Sequence, residues 1–217
     1  MSISENLNQL ENTLPSEVTL VAVSKTKPVA DLLEAYNAGQ RVFGENKIQE
    51  MEAKWKEMPK DIEWHMIGHV QTNKVKYMAH FVRLIHAVDS IKLLKEINKQ
   101  ALKNNRIINC LLQVKIAEEE SKYGMTETDI HTLLTSEEVQ SFENIKIVGL
   151  MGMATFTDNK EQVSAEFQKL NTYYGEIKET YDFSVLSMGM SGDYDLALET
   201  GSTMIRVGSK IFGERSN

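Results

Sequence analysis

The sequence predicts a single (β/α)8 barrel of the TIM type over residues 1–217, with an extra helix over 1–13 before the first strand. Short apolar runs alternate with amphipathic helical patterns along the chain, which is the order of parallel β-α units. Eight such units in 217 residues match the lower size limit of this barrel. A doubly wound open sheet is the alternative, but no Gly-x-Gly-x-x-Gly motif follows the first strand. The chain has no Gly/Ser linker and no shift of composition, which favours one domain.

Each predicted strand is a short run of apolar or β-branched residues with turn-forming or charged residues on either side. The first run is almost continuously apolar, as in a strand that is buried on both faces. The predicted strands are Val18–Val23, Arg41–Phe43, Ile62–Ile67, Val82–Val88, Ile107–Ile116, Ile145–Leu150, Ser184–Ser187 and Thr203–Val207.

The segments between the strands have helical periodicity and recognisable helix ends. Gly39 ends the helix after the first strand as a C-terminal cap, and Pro59 ends the next one. Ser90 caps a later helix whose apolar residues share one face. The predicted helices are Met1–Thr13, Asp31–Tyr36, Asn46–Met58, Ser90–Asn104, Thr126–Val139, Lys160–Thr180 and Asp193–Thr200.

Composition and charge argue against several classes of function. The net charge of -7 argues against nucleic-acid binding and against docking on anionic membranes. Residues 1–14 are polar and no apolar stretch approaches a membrane span, so we expect a cytoplasmic protein. The single cysteine, Cys110, rules out an intramolecular disulfide and is expected to be buried in a strand. The five histidines have no paired spacing, so no metal site is expected.

Lys25 lies at the C-terminal end of the first predicted strand, which is where barrels of this kind have their active sites. By the two-residue alternation of a strand it continues the row of Thr19, Val21 and Val23, so its side chain should point into the interior. Partial loss of hydration lowers the pKa of an amine and makes it a nucleophile towards an aldehyde. Lys27 lies two residues further along, on the same side of the strand, and its positive charge should also lower the pKa of the Lys25 amine. A solvated loop lysine is the alternative.

Glycines and serines follow the last two predicted strands, where barrels of this kind often bind phosphate. Ser191 and Gly192 precede a predicted helix, whose first backbone N–H groups attract an anion. Gly208, followed by Ser209, allows the backbone to approach a ligand closely. Arg206, at a strand end, needs an acceptor or water. Turn and capping chemistry is the alternative for each residue alone, but both loops coincide with the expected phosphate position.

The lysine and the phosphate loops are neighbours in a closed barrel. Because strand one pairs with strand eight, Lys25 should lie beside the loops that follow the last two strands. An amine next to a phosphate site indicates a phosphorylated aldehyde held as a Schiff base, and pyridoxal 5′-phosphate (PLP) is the candidate cofactor.

Motifs along the whole chain carry a resemblance to a known family. They are Ala22–Pro28, Phe43–Asn46, Glu63–His65, Ile67–Gly68, Gln71–Lys74, Ser121–Gly124, Gly189–Ser191, Gly201–Thr203, Arg206–Gly208 and Ile211–Gly213. In this order they resemble the motifs of the pyridoxal phosphate homeostasis proteins, whose fold is similar to the barrel domain of alanine racemase. Two departures occur: His69-Val70 stands where the family has Pro-Leu, and Gly192 stands where an acidic residue is common.

The resemblance implies a set of cofactor-binding residues and no catalytic ones. The implied cofactor-binding residues are Lys25, Asn46, Ser191, Arg206, Gly208 and Ser209. Lys25 would carry PLP as an internal aldimine, the loop residues would hold the phosphate, and the asparagine would line the cofactor. Arg206 would face the pyridine nitrogen. Because an arginine cannot accept a proton, that nitrogen stays unprotonated and the cofactor is a poorer electron sink.

Three nearby residues have two interpretations each. His65 is expected to be a core histidine with a satisfied hydrogen bond, rather than a catalyst. Glu45 either orients Lys25 and its neighbours or is a carboxylate at the start of a helix. Lys122 matches a family lysine associated with a secondary PLP contact, and an exposed lysine is the alternative.

The resemblance implies a PLP carrier that affects cofactor supply through transient contact with PLP-dependent enzymes, rather than an enzyme. A small amino-acid racemase is the alternative. Racemisation needs an acid/base group on each face of the α-carbon, and alanine racemases take the second base from a separate C-terminal domain. We expect no such domain because the chain reaches Asn217 directly after the eighth unit, although Tyr123 and Tyr194 leave a substitute base open. A third alternative is a regulatory module whose PLP occupancy is read by a partner protein.

Overall fold

The computed structural model describes residues 2–119 and 123–214, and its centre is a closed barrel of parallel strands. The strands are β1 (Thr19–Val23), β2 (Val42–Glu45), β3 (Glu63–Met66), β4 (Leu84–Val88), β5 (Ile108–Val114), β6 (Ile145–Gly152), β7 (Val185–Met190) and β8 (Met204–Val207). Each strand pairs with its neighbour in chain order, and β8 pairs with β1 to close the barrel. The predicted (β/α)8 barrel is confirmed.

Helices cover the outside of the barrel. They are α1 (Ile3–Glu11), α2 (Val29–Asn37), α3 (Ile48–Glu57), α4 (Ile91–Lys103), α5 (Glu127–Leu134), α6 (Glu137–Gln140), α7 (Lys160–Tyr181), α8 (Tyr194–Glu199) and α9 (Ser209–Phe212). A 3₁₀ helix over Thr72–Tyr77 lies between β3 and β4, where the sequence pattern indicates no helix. The extra N-terminal helix is confirmed as α1, which packs against α2 and α9.

The predicted helix Thr126–Val139 is wrong in one respect, because the chain forms two helices there, α5 and α6. The break lies at Thr135 and Ser136. The Thr135 hydroxyl donates to the carbonyl of His131 at 2.8 Å, and Ser136 has an extended backbone with ψ 126°. Serine and threonine side chains bond to nearby backbone groups and therefore favour helix ends over helix interiors.

The barrel strands are buried on both faces, which explains the nearly continuous apolar run at β1. Leu20 and Ala22 point outward into the core beneath the helices. Val21 lies between them and belongs to a separate cluster that fills the barrel, together with Leu84, Ala87, Leu111, Val148, Met151 and Met204. Cys110 on β5 is fully buried, as expected, and burial raises the pKa of its thiol.

The register of β1 and β8 brings their C-terminal ends side by side. Val21 pairs with Arg206, and Ala22 pairs with Val207. The loop that follows β8 therefore starts next to the loop that follows β1. Gly208 allows this close approach, because a Cβ at that position would stand 3.0 Å from the carbonyl oxygen of Val23. Within the described part of the chain, no helix is long and apolar enough to cross a bilayer.

Candidate functional site at the mouth of the barrel

A cavity of about 690 Å³ opens at the C-terminal ends of the strands and has the size of a small-molecule site. Its apolar lining includes Val23, Ile67, Ala87 and Met153. Its polar lining includes every residue that the sequence assigns to the cofactor: Lys25, Asn46, Ser191, Arg206, Gly208 and Ser209. These six residues lie at or after the ends of β1, β2, β7 and β8, so closure of the barrel brings them together.

Lys25 follows β1 and is half-buried in the cavity wall. Val23, two residues earlier, lines the same cavity, and Val21 belongs to the packed barrel interior. Val21, Val23 and Lys25 therefore form a row that runs from the barrel interior into the cavity, as strand alternation predicts. The sequence Ser24-Lys25-Thr26 thus places an amine at the wall of the cavity rather than on the outer surface of the protein.

The loops after β7 and β8 meet at Ser191 and Gly208. The Ser191 hydroxyl oxygen accepts a hydrogen bond from the backbone N–H of Gly208 at 3.1 Å. Ser209 begins α9 and is exposed at the rim. Oδ1 of Asp193 accepts from the backbone N–H of Met190 at 2.6 Å and so fixes the turn that carries Ser191. Hydroxyl and backbone N–H groups gathered in this way can bind the oxygens of a phosphate.

Arg206 lines the cavity, but its side chain is almost fully buried and binds two partners inside the barrel. Nη1 donates to Oγ of Ser187 at 2.6 Å, and Nη2 donates to the carbonyl of Gly152 at 3.1 Å. Oγ of Ser187 lies 3.1 Å from Nδ1 of His86, and Nε2 of His86 lies 3.0 Å from Nδ1 of His65. Arg206, Ser187, His86 and His65 therefore form a polar chain that crosses the barrel from β8 to β3.

Burial determines the charges along the polar chain. It lowers the pKa of His65 to about 3, with a smaller contribution from the charge of Arg83. It also lowers the pKa of His86 well below its ordinary value, so both imidazoles are neutral at pH 7. Burial lowers the pKa of Arg206 to about 10, against the attraction of the Asp193 carboxylate. The guanidinium therefore remains charged at pH 7.

The hydrogen-bond directions along the polar chain follow from its charged end. Arg206 has only donors, so Oγ of Ser187 accepts from it. The Ser187 hydroxyl proton then has Nδ1 of His86 as its acceptor, which leaves the proton of that neutral ring on Nε2. Nε2 faces Nδ1 of His65 and can donate to it. The arginine thus selects one tautomer for each histidine.

The interpretation of His65 as a hydrogen-bonded core histidine is confirmed. The sequence did not predict the other two uncharged members of the polar chain, His86 and Ser187. His86 lies two residues after Leu84, which belongs to the barrel interior, so strand alternation could have indicated that His86 also points inward. Ser187 precedes the glycine-containing loop after β7 but does not line the cavity. Its contact with His86 joins residues 101 positions apart, which no local pattern contains.

Lys27 also lines the cavity, but its ammonium group is turned towards the end of α9. Nζ donates to the carbonyls of Phe212, Gly213 and Glu214 at 2.8, 3.2 and 3.2 Å. Lysine side chains commonly bind the last carbonyls of a helix in this way. Lys27 therefore joins the loop after β1 to the C-terminal segment, a role that its strand parity did not indicate.

Aromatic residues surround the outer rim of the cavity. His69 and Tyr123 stack with their ring centroids 4.7 Å apart, and Phe156 is 94% exposed. Asn46 lies against the loop after β3, where a Cβ on Gly68 would stand 2.5 Å from the Asn46 carbonyl oxygen. His69, which stands where the family has proline, therefore lies among the aromatic residues of the rim.

Glu45 is the last residue of β2 and is fully buried. Its Oε1 accepts a hydrogen bond from the Ser24 hydroxyl at 2.6 Å, so Glu45 contacts the residue before Lys25. Lys122 lies outside the described residues. Among the residues that are described, no group of three or more His, Cys, Asp or Glu side chains is arranged to hold a metal ion.

The fold and the site define the class of this protein as an alanine racemase-like barrel. A family model described as the N-terminal domain of alanine racemase matches residues 1–216. The alanine racemase of Clostridium difficile shares this fold, with a TM-score of 0.78 at 12% identity over 100% of this chain and 60% of the racemase chain.

Closer relatives narrow this class to one family. The pyridoxal phosphate homeostasis protein of Aquifex aeolicus is 40% identical over 199 residues, which cover 90% of this chain and 86% of the relative. That of Synechocystis is 37% identical over 207 residues and covers 94% of both chains. The chain belongs to the pyridoxal phosphate homeostasis protein family. The structure of PipY from Synechococcus elongatus with PLP bound has a TM-score of 0.89 and 36% identity, over 98% of this chain and 100% of PipY.

Proposed function

We propose that this protein holds PLP as a Schiff base on Nζ of Lys25 and maintains the supply of PLP in the cell, without turning over a substrate. One observation carries the proposal: a lysine amine, a buried arginine and two loops suited to phosphate line a single cavity. Relatives that share 34% or more of their residues are named for PLP homeostasis, and PipY has been solved with PLP bound, which supports the choice of cofactor.

The polar groups of the cavity match the groups of PLP. When bound, PLP supplies an aldehyde and an electron-withdrawing ring. Lys25 provides the amine, which condenses with an aldehyde to a C=N bond while one water molecule leaves. The Ser191 hydroxyl accepts from the Gly208 N–H, so its own proton is available to the phosphate, and the backbone N–H of Ser209 is a second donor. Gly208 lets the backbone approach the phosphate closely. Asn46 provides a polar wall beside the ring.

Arg206 is assigned to the pyridine nitrogen. Its guanidinium is charged at pH 7 and offers only donors, so it can bind the lone pair of that nitrogen but cannot act as a partner for a protonated ring. The contacts with Ser187 and Gly152 hold the guanidinium in place. An unprotonated pyridine withdraws electrons poorly, which favours retention of PLP over carbanion chemistry.

The other polar groups of the cavity wall also support a carrier. Racemisation needs a second acid/base group facing the α-carbon. Lys27 is bound to carbonyls of the C-terminal segment, and Asp193 accepts from the backbone of Met190. Tyr123 is 60% exposed and stacked on His69 at the rim. Tyr194 does not line the cavity, and its hydroxyl accepts from Nζ of Lys210 at 3.3 Å. Each of these side chains therefore has another position or partner.

The proposal includes a cytoplasmic location and transient contact with PLP-dependent enzymes. The cavity opens beside Phe156 and Tyr123, which are exposed, so a cofactor that leaves Lys25 reaches the protein surface directly. Cys110 is a buried free thiol, which suits a reducing compartment.

The test of the proposal is an absorption spectrum of the purified protein, followed by borohydride reduction and peptide mass mapping. A visible imine band and a phosphopyridoxyl group on Lys25 are expected, and Lys25→Ala should remove both while the far-UV circular dichroism stays unchanged. A band that persists in Lys25→Ala, or no band after PLP is added to the wild type, would overturn the proposal. Exchange of amino-acid α-protons with heavy water above the rate of free PLP would instead support the racemase.

A further inference from the structure

Three charged side chains contact the loop that carries Lys25 without lining the cavity. We call Glu45, Glu50 and Lys54 the anchor cluster. Glu45 ends β2, whereas Glu50 and Lys54 lie four residues apart on α3. The side chains of Glu45 and Lys54 are 0% and 7% exposed, and that of Glu50 is 24% exposed. None of the three lines the cavity.

Lys54 is the centre of the anchor cluster. Its Nζ donates to Oε1 of Glu45, to Oε1 of Glu50 and to the backbone carbonyl of Ser24, each at 2.7 Å. An ammonium group has three N–H donors, so these contacts use all of them. The ammonium is therefore fixed in position between β2, α3 and the loop after β1.

The anchor cluster holds both neighbours of Lys25. The hydroxyl of Ser24 donates to Oε1 of Glu45 at 2.6 Å, in addition to the contact of the Ser24 carbonyl with Lys54. The backbone N–H of Thr26 donates to Oε1 of Glu50 at 2.6 Å. Two of these hydrogen bonds hold the peptide groups on either side of Lys25, and the third holds the Ser24 side chain.

Thr26 shows that the loop is held in a conformation that it would not favour alone. Its φ is 64°, in the left-handed region that β-branched residues rarely adopt. Such a conformation persists only where the surrounding structure enforces it. The short contact between the Thr26 N–H and Glu50 supplies that constraint directly.

The anchor cluster is a costly way to stabilise a fold, which favours a role in positioning. Taking charged groups out of water carries a desolvation penalty, and apolar residues of the same volume often serve a core as well. Burial raises the pKa of the Glu45 carboxyl in spite of the neighbouring Lys54. Oε2 of Glu45 has no hydrogen-bond partner among the described residues. Within the described residues, the hydrogen bonds of the Glu45 carboxylate are to Lys54 and to Ser24.

We infer that Glu45, Glu50 and Lys54 are positioning residues, which fix the backbone on both sides of Lys25 and thereby the direction in which its amine enters the cavity. The inference rests on the proposed function, in which that amine carries PLP. A lysine on an unconstrained loop would spend part of its time turned away from the cofactor, and the cofactor would be lost faster.

Glu50 is the member of the anchor cluster best suited to a test, because its side chain is the most exposed of the three and its replacement leaves the buried pair of Glu45 and Lys54 in place. Glu50→Ala removes the acceptor of the Thr26 N–H, whereas Glu50→Gln keeps an acceptor oxygen at the same place. Glu52→Ala is the matched control. Glu52 is also on α3, is also 24% exposed and pairs four residues on with Lys56 at 2.8 Å, but it has no contact with the loop after β1 in the described structure.

Two measurements are made on the wild type and the three variants. The first is amide hydrogen exchange of Thr26 in protein stripped of PLP, which reports the loop alone. The second is the rate at which PLP bound to Lys25 is lost to excess hydroxylamine. In Glu50→Ala we expect both rates to rise roughly tenfold, because the Thr26 N–H loses its hydrogen bond to a charged acceptor. Glu50→Gln should restore most of the wild-type behaviour, and Glu52→Ala should match the wild type.

The outcomes separate the inference from the proposed function. Unchanged Thr26 exchange in Glu50→Ala, or loss of PLP no faster than in Glu52→Ala, would overturn the inference and leave the proposed function standing. A wild-type protein that carries no PLP on Lys25 would overturn the proposed function, and the exchange rate of Thr26 would still decide whether the anchor cluster holds the loop.

Discussion

Nη1 of Arg206 lies 2.6 Å from Oγ of Ser187, inside the barrel and beneath the candidate site. Arg206 lines the cavity, but Ser187 does not. The hydroxyl group of Ser187 connects the charged guanidinium to a neutral imidazole of His86 at 3.1 Å. The position of the arginine at the proposed pyridine site therefore depends on a serine of β7 that has no contact with the cavity.

The first prediction is that Ser187→Ala changes the spectrum of bound PLP and weakens its retention. The substitution removes the acceptor of the Arg206 Nη1 proton and leaves a buried charged donor unsatisfied, at a cost of roughly 1–3 kcal/mol. Absorption spectra and PLP affinity are the measurements. Ser202→Ala is the control, because Ser202 is also buried between β7 and β8 but bonds to the carbonyls of Leu186, Met188 and Met204. A spectral shift of equal size in both variants would contradict the role given to Ser187.

The contrast between β1 and the polar chain shows what the sequence could predict. The row of Val21, Val23 and Lys25 is local, so strand alternation alone indicates that the lysine faces the cavity. The contact of His86 with Ser187 joins β4 to β7 across the barrel and exists only because the sheet closes. Patterns of period two specify which face a residue occupies, but not which residue of a distant strand it meets.

Lys27 shows the same limit of prediction from sequence patterns. Its parity correctly indicates that it lines the cavity, yet its ammonium binds the carbonyls of residues 212–214. This contact spans 185 residues and depends on where α9 ends. The sequence therefore predicts that Lys27 lies at the cavity, whereas the partners of its charged group are seen only in the closed structure.

The second prediction compares the two cations of the cavity wall. Arg206→Ala should weaken PLP retention more than Lys27→Ala, because Arg206 is assigned to the ring whereas Lys27 binds the end of α9. Only Arg206→Ala should also change the absorption spectrum, since it alters the surroundings of the pyridine nitrogen. Titration of each variant with PLP gives the affinities. Equal affinities in the two variants would remove the case for Arg206.

The third prediction concerns acid. Burial holds the pKa of His65 at about 3 and that of His86 well below its ordinary value, so the folded protein does not take the protons that the unfolded chain binds below pH ~6.5. Stability contributed by the neutral histidines is therefore present above pH ~6.5 and is lost as the pH falls towards the folded values, by up to about 1.4 kcal/mol per pH unit for each histidine.

Urea unfolding at a series of pH values between 7.5 and 5 measures this loss. His65→Asn should be less stable than the wild type at pH 7.5, because it breaks the hydrogen bond to His86, but its stability should fall less steeply with acid. His131→Asn, at an exposed position of α5, is the control for a histidine outside the barrel. A slope in His65→Asn as steep as that of the wild type would show that this histidine does not drive the acid sensitivity.

The fourth prediction tests the close approach of β1 and β8 at the proposed phosphate loop. A Cβ on Gly208 would stand 3.0 Å from the carbonyl oxygen and 3.3 Å from Cβ of Val23, so in Gly208→Ala the two loops must move apart by a few tenths of an ångström. The displacement should lengthen the 3.1 Å contact of the Gly208 N–H with Ser191 and weaken PLP binding by up to roughly tenfold, which corresponds to the loss of about one hydrogen bond. Gly192→Ala is the matched control, because a Cβ there would meet no atom within 4 Å. If both alanine variants bind PLP as tightly as the wild type, the contact between the two loops does not contribute to holding the phosphate.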